Sequence, residues 1–236
     1  MDIGGDGEDL QIGSMYALES TYWQWPILLR DIRALYDGLR AGTGTSEAAP
    51  ELRRRSEAAL AETSKFGEKM IAKARSLGFM EEVIDPASPV GKSYEFLNIR
   101  LCELFAGYRL CSQFFTRMNR DLCRLQGLDA EAQACDQRYR DLCAESLMLC
   151  NYLIKKGPIT CAQYSTSFMF VLEGLEGPHR AYMANFILDT TGYEFPCGRD
   201  EAADFFEQYI DAISGYIVPA NLIPLEGSLL PSMHTG

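Results

Sequence analysis

Residues 97–125 read LNIRLCELFAGYRLCSQFFTRMNRDLCRL, and the apolar spacing in this stretch decides the fold. Leu97, Leu101, Leu104, Phe105, Tyr108, Cys111, Phe115, Met118, Leu122 and Leu125 recur every three or four residues, the period of an α-helix with a buried face. Cys102, Leu110 and Phe114 add a second apolar flank. A helix that is apolar on two sides must be covered on both, so this segment is predicted to be the central helix of the protein.

Working outward, the flanking segments also carry helical periodicity. Upstream, Met15, Leu18, Tyr22, Ile27, Leu28, Ile32, Leu35, Tyr36 and Leu39 mark a first helix. Pro26 is predicted to bend or restart it, because proline lacks the amide donor of a helix interior. AGTGTSEAAP reads as a loop, and residues 51–77 form a second helix that Gly78 stops. DPASPVGKS breaks the pattern before the central helix, without the signature of a β-hairpin. Downstream, Asp129 is expected to cap a helix that ends at Lys155-Lys156-Gly157. A fifth helix over 158–175 sets Thr160, Gln163, Ser165, Thr166 and Ser167 beside Tyr164, Phe168, Met169 and Phe170. Two more are read at 178–190 and at 200–216, the latter capped by Asp200.

The fold class is therefore all-α, a single domain of about seven helices in largely antiparallel succession, spanning 15–217. Residues 1–14, with four glycines and four acids, read as disordered, and the proline-rich tail 218–236 reads as irregular.

Composition narrows the function classes. The 236 residues are 47% apolar, enough for a substantial core, and 22 basic against 33 acidic residues leave a formal net charge of −11. That balance opposes direct nucleic-acid binding. No apolar run reaches the ~20 residues of a membrane span, and the acidic, glycine-rich opening is unlike a secretory signal. A cytoplasmic or nuclear location is expected. The eight cysteines are expected to be reduced and to serve as small buried hydrophobes. Cys102 and Cys111 fall on opposite sides of a helix, Cys143 and Cys150 are separated by ~10 Å of helical rise, and no C-x-x-C occurs. No metal and no cofactor are expected. H-E-x-x-H, the P-loop, G-x-G-x-x-G and G-x-S-x-G are all absent. Of the two histidines, His179 opens a helix and His234 lies in the tail, and neither pattern identifies a catalytic base.

What remains is a set of polar groups within apolar helices. Tyr108 and Arg109 on the central helix, with Gln163, Tyr164 and Ser167 on the fifth, are the candidate ligand-binding residues; no catalytic residue is assigned. A buried Arg109 needs a counter-ion, which Glu103, Glu145 or Glu173 could supply.

The segment LFAGYRLCSQFF resembles the Tyr-Arg helix in the C-terminal regulatory domain of fungal zinc-cluster transcription factors. In that family the Tyr-Arg pair is followed three residues later by another Arg. Tyr108 and Arg109 fill the first two places, and Ser112 stands in the third. The long helix from Glu51, DPASPVGKSYEF, and CNYLIKKGPITCAQYSTSF are similar to the segments on either side. The resemblance implies an all-helical domain that regulates transcription and senses a small hydrophobic metabolite. The family's DNA-binding module needs six cysteines in paired spacing, which this chain lacks, so DNA binding is not carried over. Two alternatives stand beside the regulator: a cofactor-independent cyclase, isomerase or dehydratase of fungal secondary metabolism using the same pocket, and a helical scaffold. A homodimer or a protein partner is left open.

Overall fold

The computed structural model describes residues 6–157, 164, 167–191, 198, 199 and 201–214. Its α-helices are α1 (Asp6–Arg40), α2 (Ala49–Ser76), α3 (Ile99–Leu125), α4 (Asp129–Ser146), α5 (Cys150–Lys156), α6 (Gly177–Thr191) and α7 (Ala202–Ser214), with further helical residues at 167–172. Helix dominates, as the periodicities predict.

The central position of α3 is borne out: 20 of its 27 residues are buried. Asn98, in extended conformation, starts it by accepting the Leu101 amide at 3.0 Å on its side-chain oxygen, which satisfies one of the orphan donors of the first turn. At the other end Gly127 takes φ 69°, so the Leu128 amide can reach back to the Cys123 carbonyl at 3.0 Å and the chain reverses into α4. The reversal makes the helices antiparallel, as the side-chain contacts show. Gln113 donates to the Leu142 carbonyl, whereas Arg120, two turns further on, pairs with Asp136. Across α2 and α3, Arg53 reaches Cys123 while Gly67 lies against Tyr108. Across α1 and α2, Gln24 meets Glu62 and Asp31 meets Arg55.

Gly67 has a specific steric role. A methyl group built on it would fall inside 3.0 Å of three ring carbons of Tyr108, whereas non-bonded carbons rest at about 3.5–4.0 Å. Only a glycine lets α2 come this close to that ring.

Several expectations need correction. The helix of α1 begins at Asp6, inside the segment whose composition suggests disorder, while residues 1–5 and the tail 218–236 lie outside the described residues. α1 also runs unbroken through Pro26, which is on an exposed face where water can serve the carbonyl that proline leaves without a donor. The helix expected from Asp129 to Lys156 is interrupted by a 3-10 turn at Leu147–Leu149. Leu128, not Asp129, is the N-cap of α4; Asp129 sits in the first turn, where its charge complements the helix dipole.

A hairpin is present where none was expected. β1 (Met80–Ile84) and β2 (Lys92–Phe96) pair antiparallel, with Met80 opposite Phe96 and Ile84 opposite Lys92. The connection 85–91 is organised by Asp85, whose side chain accepts the Ala87 amide at 3.0 Å and whose amide donates to the Gly91 carbonyl at 3.0 Å. The hairpin packs Tyr94 and Phe96 onto the core, edge to face or tilted against Phe105 and Tyr152 with ring centroids 5.1–5.6 Å apart.

Candidate functional site

Arg109 projects from α3 toward α4 and β2, and Glu145 of α4 is its partner. The same Glu145 oxygen accepts the Tyr94 hydroxyl at 2.6 Å. The guanidinium lies over the rings of Phe105 and Tyr108 at 5.0 and 5.2 Å, an arrangement in which the ring faces add attraction to the ion pair. Of the three carboxylates that sequence reasoning offered, Glu145 therefore holds Arg109. Glu173 instead takes Arg117 and Arg120, each at 2.5 Å.

These two arginines belong to a second polar cluster on the C-terminal half of α3. Arg117 also pairs with Asp211 of α7, and Arg120 with Asp121 and Asp136. Burial pushes the Glu173 carboxyl up, but the charges and hydrogen bonds of Arg117 and Arg120 outweigh it and hold the group below its ordinary range. Asp211 behaves oppositely: burial raises it more than Arg117 lowers it. A cluster so thoroughly paired ties helices together.

A third group of polar atoms is unpaired. The hydroxyls of Tyr152 on α5 and Tyr164 are both buried without a hydrogen-bond partner. Burial is the main cause that pushes the Tyr152 phenol up to about 12, with Cys102 adding to it. The Tyr164 phenol is raised further, first by burial and then by Cys102, Glu103, Tyr22 and Tyr152. Cys102 of α3 adds to the shift of both phenols. Both stay protonated at neutral pH and are hydrogen-bond donors without an acceptor.

The predicted site residues separate accordingly. Tyr108 and Arg109 touch each other, but Tyr108 packs on Gly67 of α2 and Arg109 on Glu145 of α4. Neighbours on a helix point about 100° apart, and here the two side chains lead from α3 to different partner helices. Tyr164 is buried, its phenol raised first by that burial and then by the electrostatic influence of Cys102, Glu103 and Tyr22. Ser167 is half-buried, and Gln163 lies outside the described residues. Sequence reasoning did not find Tyr94 or Tyr152. Tyr152 lies in a short apolar run, CNYLIKK, that gives no sign of its hydroxyl being enclosed.

Two surface clefts involve none of these residues. One of about 290 Å³ lies between α1 and α2, lined by Gln24, Ile27, Leu28, Arg54, Arg55 and Ala58. The other, about 350 Å³, lies between the hairpin and α5, beside Ile84 and Ile154. Among the described residues no group of three His, Cys, Asp or Glu side chains could hold a metal ion, and no helix is long and apolar enough to cross a membrane. No family model, curated protein or solved structure matches the chain.

Proposed function

We propose that this chain is a helical regulatory domain that binds a small hydrophobic metabolite in its interior, at Tyr152 and Tyr164. The observation that carries this reading is the pair of buried, unpartnered phenols of Tyr152 and Tyr164. Leaving a buried donor unsatisfied costs about 1–3 kcal/mol, and a ligand that supplies an acceptor removes that cost. Two neutral donors among aromatic and aliphatic side chains suit an apolar molecule with one carbonyl or carboxylate. Their raised values favour donating a hydrogen bond over acting as a base, which supports binding ahead of turnover. The resemblance of the α3 segment to a fungal regulatory domain points the same way. On this reading the protein works in the cytoplasm or nucleus and passes its signal to a protein partner without touching DNA itself.

Thermal melting with decanoic acid and 2-undecanone as probes tests the proposal. At a hundredfold excess over Kd the native state gains about 2.7 kcal/mol, which for a domain of this size raises the Tm by about 5–10 °C. The Tyr164→Phe variant should melt at or above the wild-type temperature without a probe, because it loses an unsatisfied hydroxyl, and it should lose most of the shift with one. A probe-induced shift that is unchanged in both Tyr152→Phe and Tyr164→Phe would remove the site.

A further inference from the structure

The hairpin leaves an edge of its sheet open. β2 is the inner strand, with Ser93, Tyr94 and Phe96 buried, whereas β1 exposes Glu81, Glu82 and Ile84. The ladder runs from the Leu97 amide on the Phe79 carbonyl at 2.8 Å to the Asp85 amide on the Gly91 carbonyl at 3.0 Å. Residues of an antiparallel pair exchange backbone hydrogen bonds at every second position. Phe79, Glu81, Val83 and Asp85 therefore turn their backbone groups to β2, and Glu82 and Ile84 turn theirs away. Among the described residues no further strand and no backbone hydrogen bond meets them there.

We propose that this edge of β1 docks an extended segment of a partner protein, which adds a third, antiparallel strand through the backbone groups of Glu82 and Ile84 and sets a basic side chain opposite Glu81. An open row of amides and carbonyls is a template for one more strand. Apolar side chains are available on both faces of β1. Ile84 is 87% exposed on one, and Val83 on the other borders the cleft of about 350 Å³ that also holds Ile154, 51% exposed. The charge preference comes from Glu81. Among the described residues it has no ion pair, and it stands directly opposite Glu95 across the ladder, where like charges repel. Glu95 has Lys155 and Glu82 has Lys92, so Glu81 is the carboxylate left for an incoming cation.

The same acidity argues against a second copy as the occupant. Antiparallel registers of β1 on another β1 must bring outward-turned residues together. Those centred on 81 and 82 oppose Glu81 or Glu82 to itself, and the one centred on 83 opposes Glu81 to Asp85. A partner segment with its own lysine or arginine meets no such repulsion. Docking here does not depend on a metabolite at Tyr152 and Tyr164.

The test titrates the full chain into a fluorescein-labelled peptide, TIVTKT, with anisotropy as the readout; its isoleucine, valine and lysine fall opposite Ile84, Val83 and Glu81. N-methylation of the isoleucine or of the second threonine, whose amides face β1, should weaken binding about tenfold. N-methylation of the valine or lysine, whose amides face away, should not. Ile84→Pro removes one outward amide and leaves the ladder to β2 in place, so it should show the same loss at an unchanged Tm. Glu81→Lys should turn the preference from TIVTKT to TIVTET. In hydrogen exchange the Glu82 and Ile84 amides should be unprotected in the free chain and slowed by the peptide. The proposal is overturned by an absence of saturable binding up to about 1 mM, by equal losses at all four N-methyl positions, or by an unaltered preference in Glu81→Lys. Protection of these amides without peptide overturns it as well, assigning the edge to a second copy if it grows with concentration and to another part of this chain if it does not.

Discussion

Gly67→Ala measures how closely α2 and α3 approach. Two effects oppose each other. Alanine favours the helix over glycine by about 1 kcal/mol, so a loosely packed seam would be stabilised. Against this, the added methyl lands inside 3.0 Å of three carbons of the Tyr108 ring. That ring is 7% exposed and carries the Arg109 guanidinium on it, so it has little room to retreat. Overpacking of a filled core costs about 1–3 kcal/mol, and placement against a ring held on both sides belongs at the upper end. The net expectation is a loss of about 2 kcal/mol, or about 4–8 °C in Tm for a chain of this length. Urea unfolding followed by far-ultraviolet circular dichroism reads the change as a lower midpoint at unchanged slope. Gly107→Ala is the internal comparison, because its methyl meets the flexible end of Leu18 at 2.6 Å and the Tyr22 hydroxyl at 2.7 Å; it should cost less. In the double variant Gly67→Ala/Tyr108→Ala the methyl finds space and only the helix-propensity gain remains, so the two losses should fall short of additivity by about 3 kcal/mol, the size of the clash. A Gly67→Ala protein as stable as wild type, or more so, would refute the close approach.

Acid unfolding should show the Glu173 cluster. Because Glu173 titrates below its ordinary value of 4.5 when folded, its contribution is fully present above that pH and is lost as the pH falls through the folded value. Asp211, raised by burial, works in the other sense, its contribution fading as the pH rises through its own folded value. Glu173→Gln should therefore cost about 3 kcal/mol at pH 7 and flatten the acid limb of a stability profile; an unchanged limb would mean that the cluster is not a unit. Asn98→Ala removes the cap of α3 and should cost about 1 kcal/mol, seen as a lower urea midpoint, with Asn98→Ser recovering most of it.

The spine was legible because its period was long and regular: ten apolar residues over 97–125 leave little choice but a central helix. The need of Arg109 for a carboxylate was legible too, since a charge on such a helix cannot stay unpaired, although the choice among three acids required the register of α3 on α4. The hairpin was hidden because its strands do not alternate cleanly. In KSYEF both Ser93 and Tyr94 are buried, and in MEEVI the apolar Ile84 points to water. Its turn relies on a seven-residue connection held by Asp85 and lacks a two-residue Asn-Gly signal. The break at Leu147–Leu149 leaves no mark in the sequence, because its residues are good helix formers and what distinguishes them, three buried side chains in a segment that meets β2, belongs to the packing. Tyr152 escaped for a related reason: the enclosure of its hydroxyl depends on segments that are distant in sequence and is supplied only by the packing.

Arg117 and Arg120 carry a consequence for how the chain is made. They lie on a helix completed at residue 125, yet Glu173 and Asp211 emerge 48 and 86 residues later. On the ribosome, α1 to α4 can begin to assemble while two guanidiniums at the heart of the bundle still lack those counter-charges. Full closure over them is disfavoured until the carboxylates arrive. The cluster thus acts as a check on completeness, holding the early bundle open to water until α7 has been synthesised, and a chain cut short before Asp211 would remain loose enough for proteases to clear.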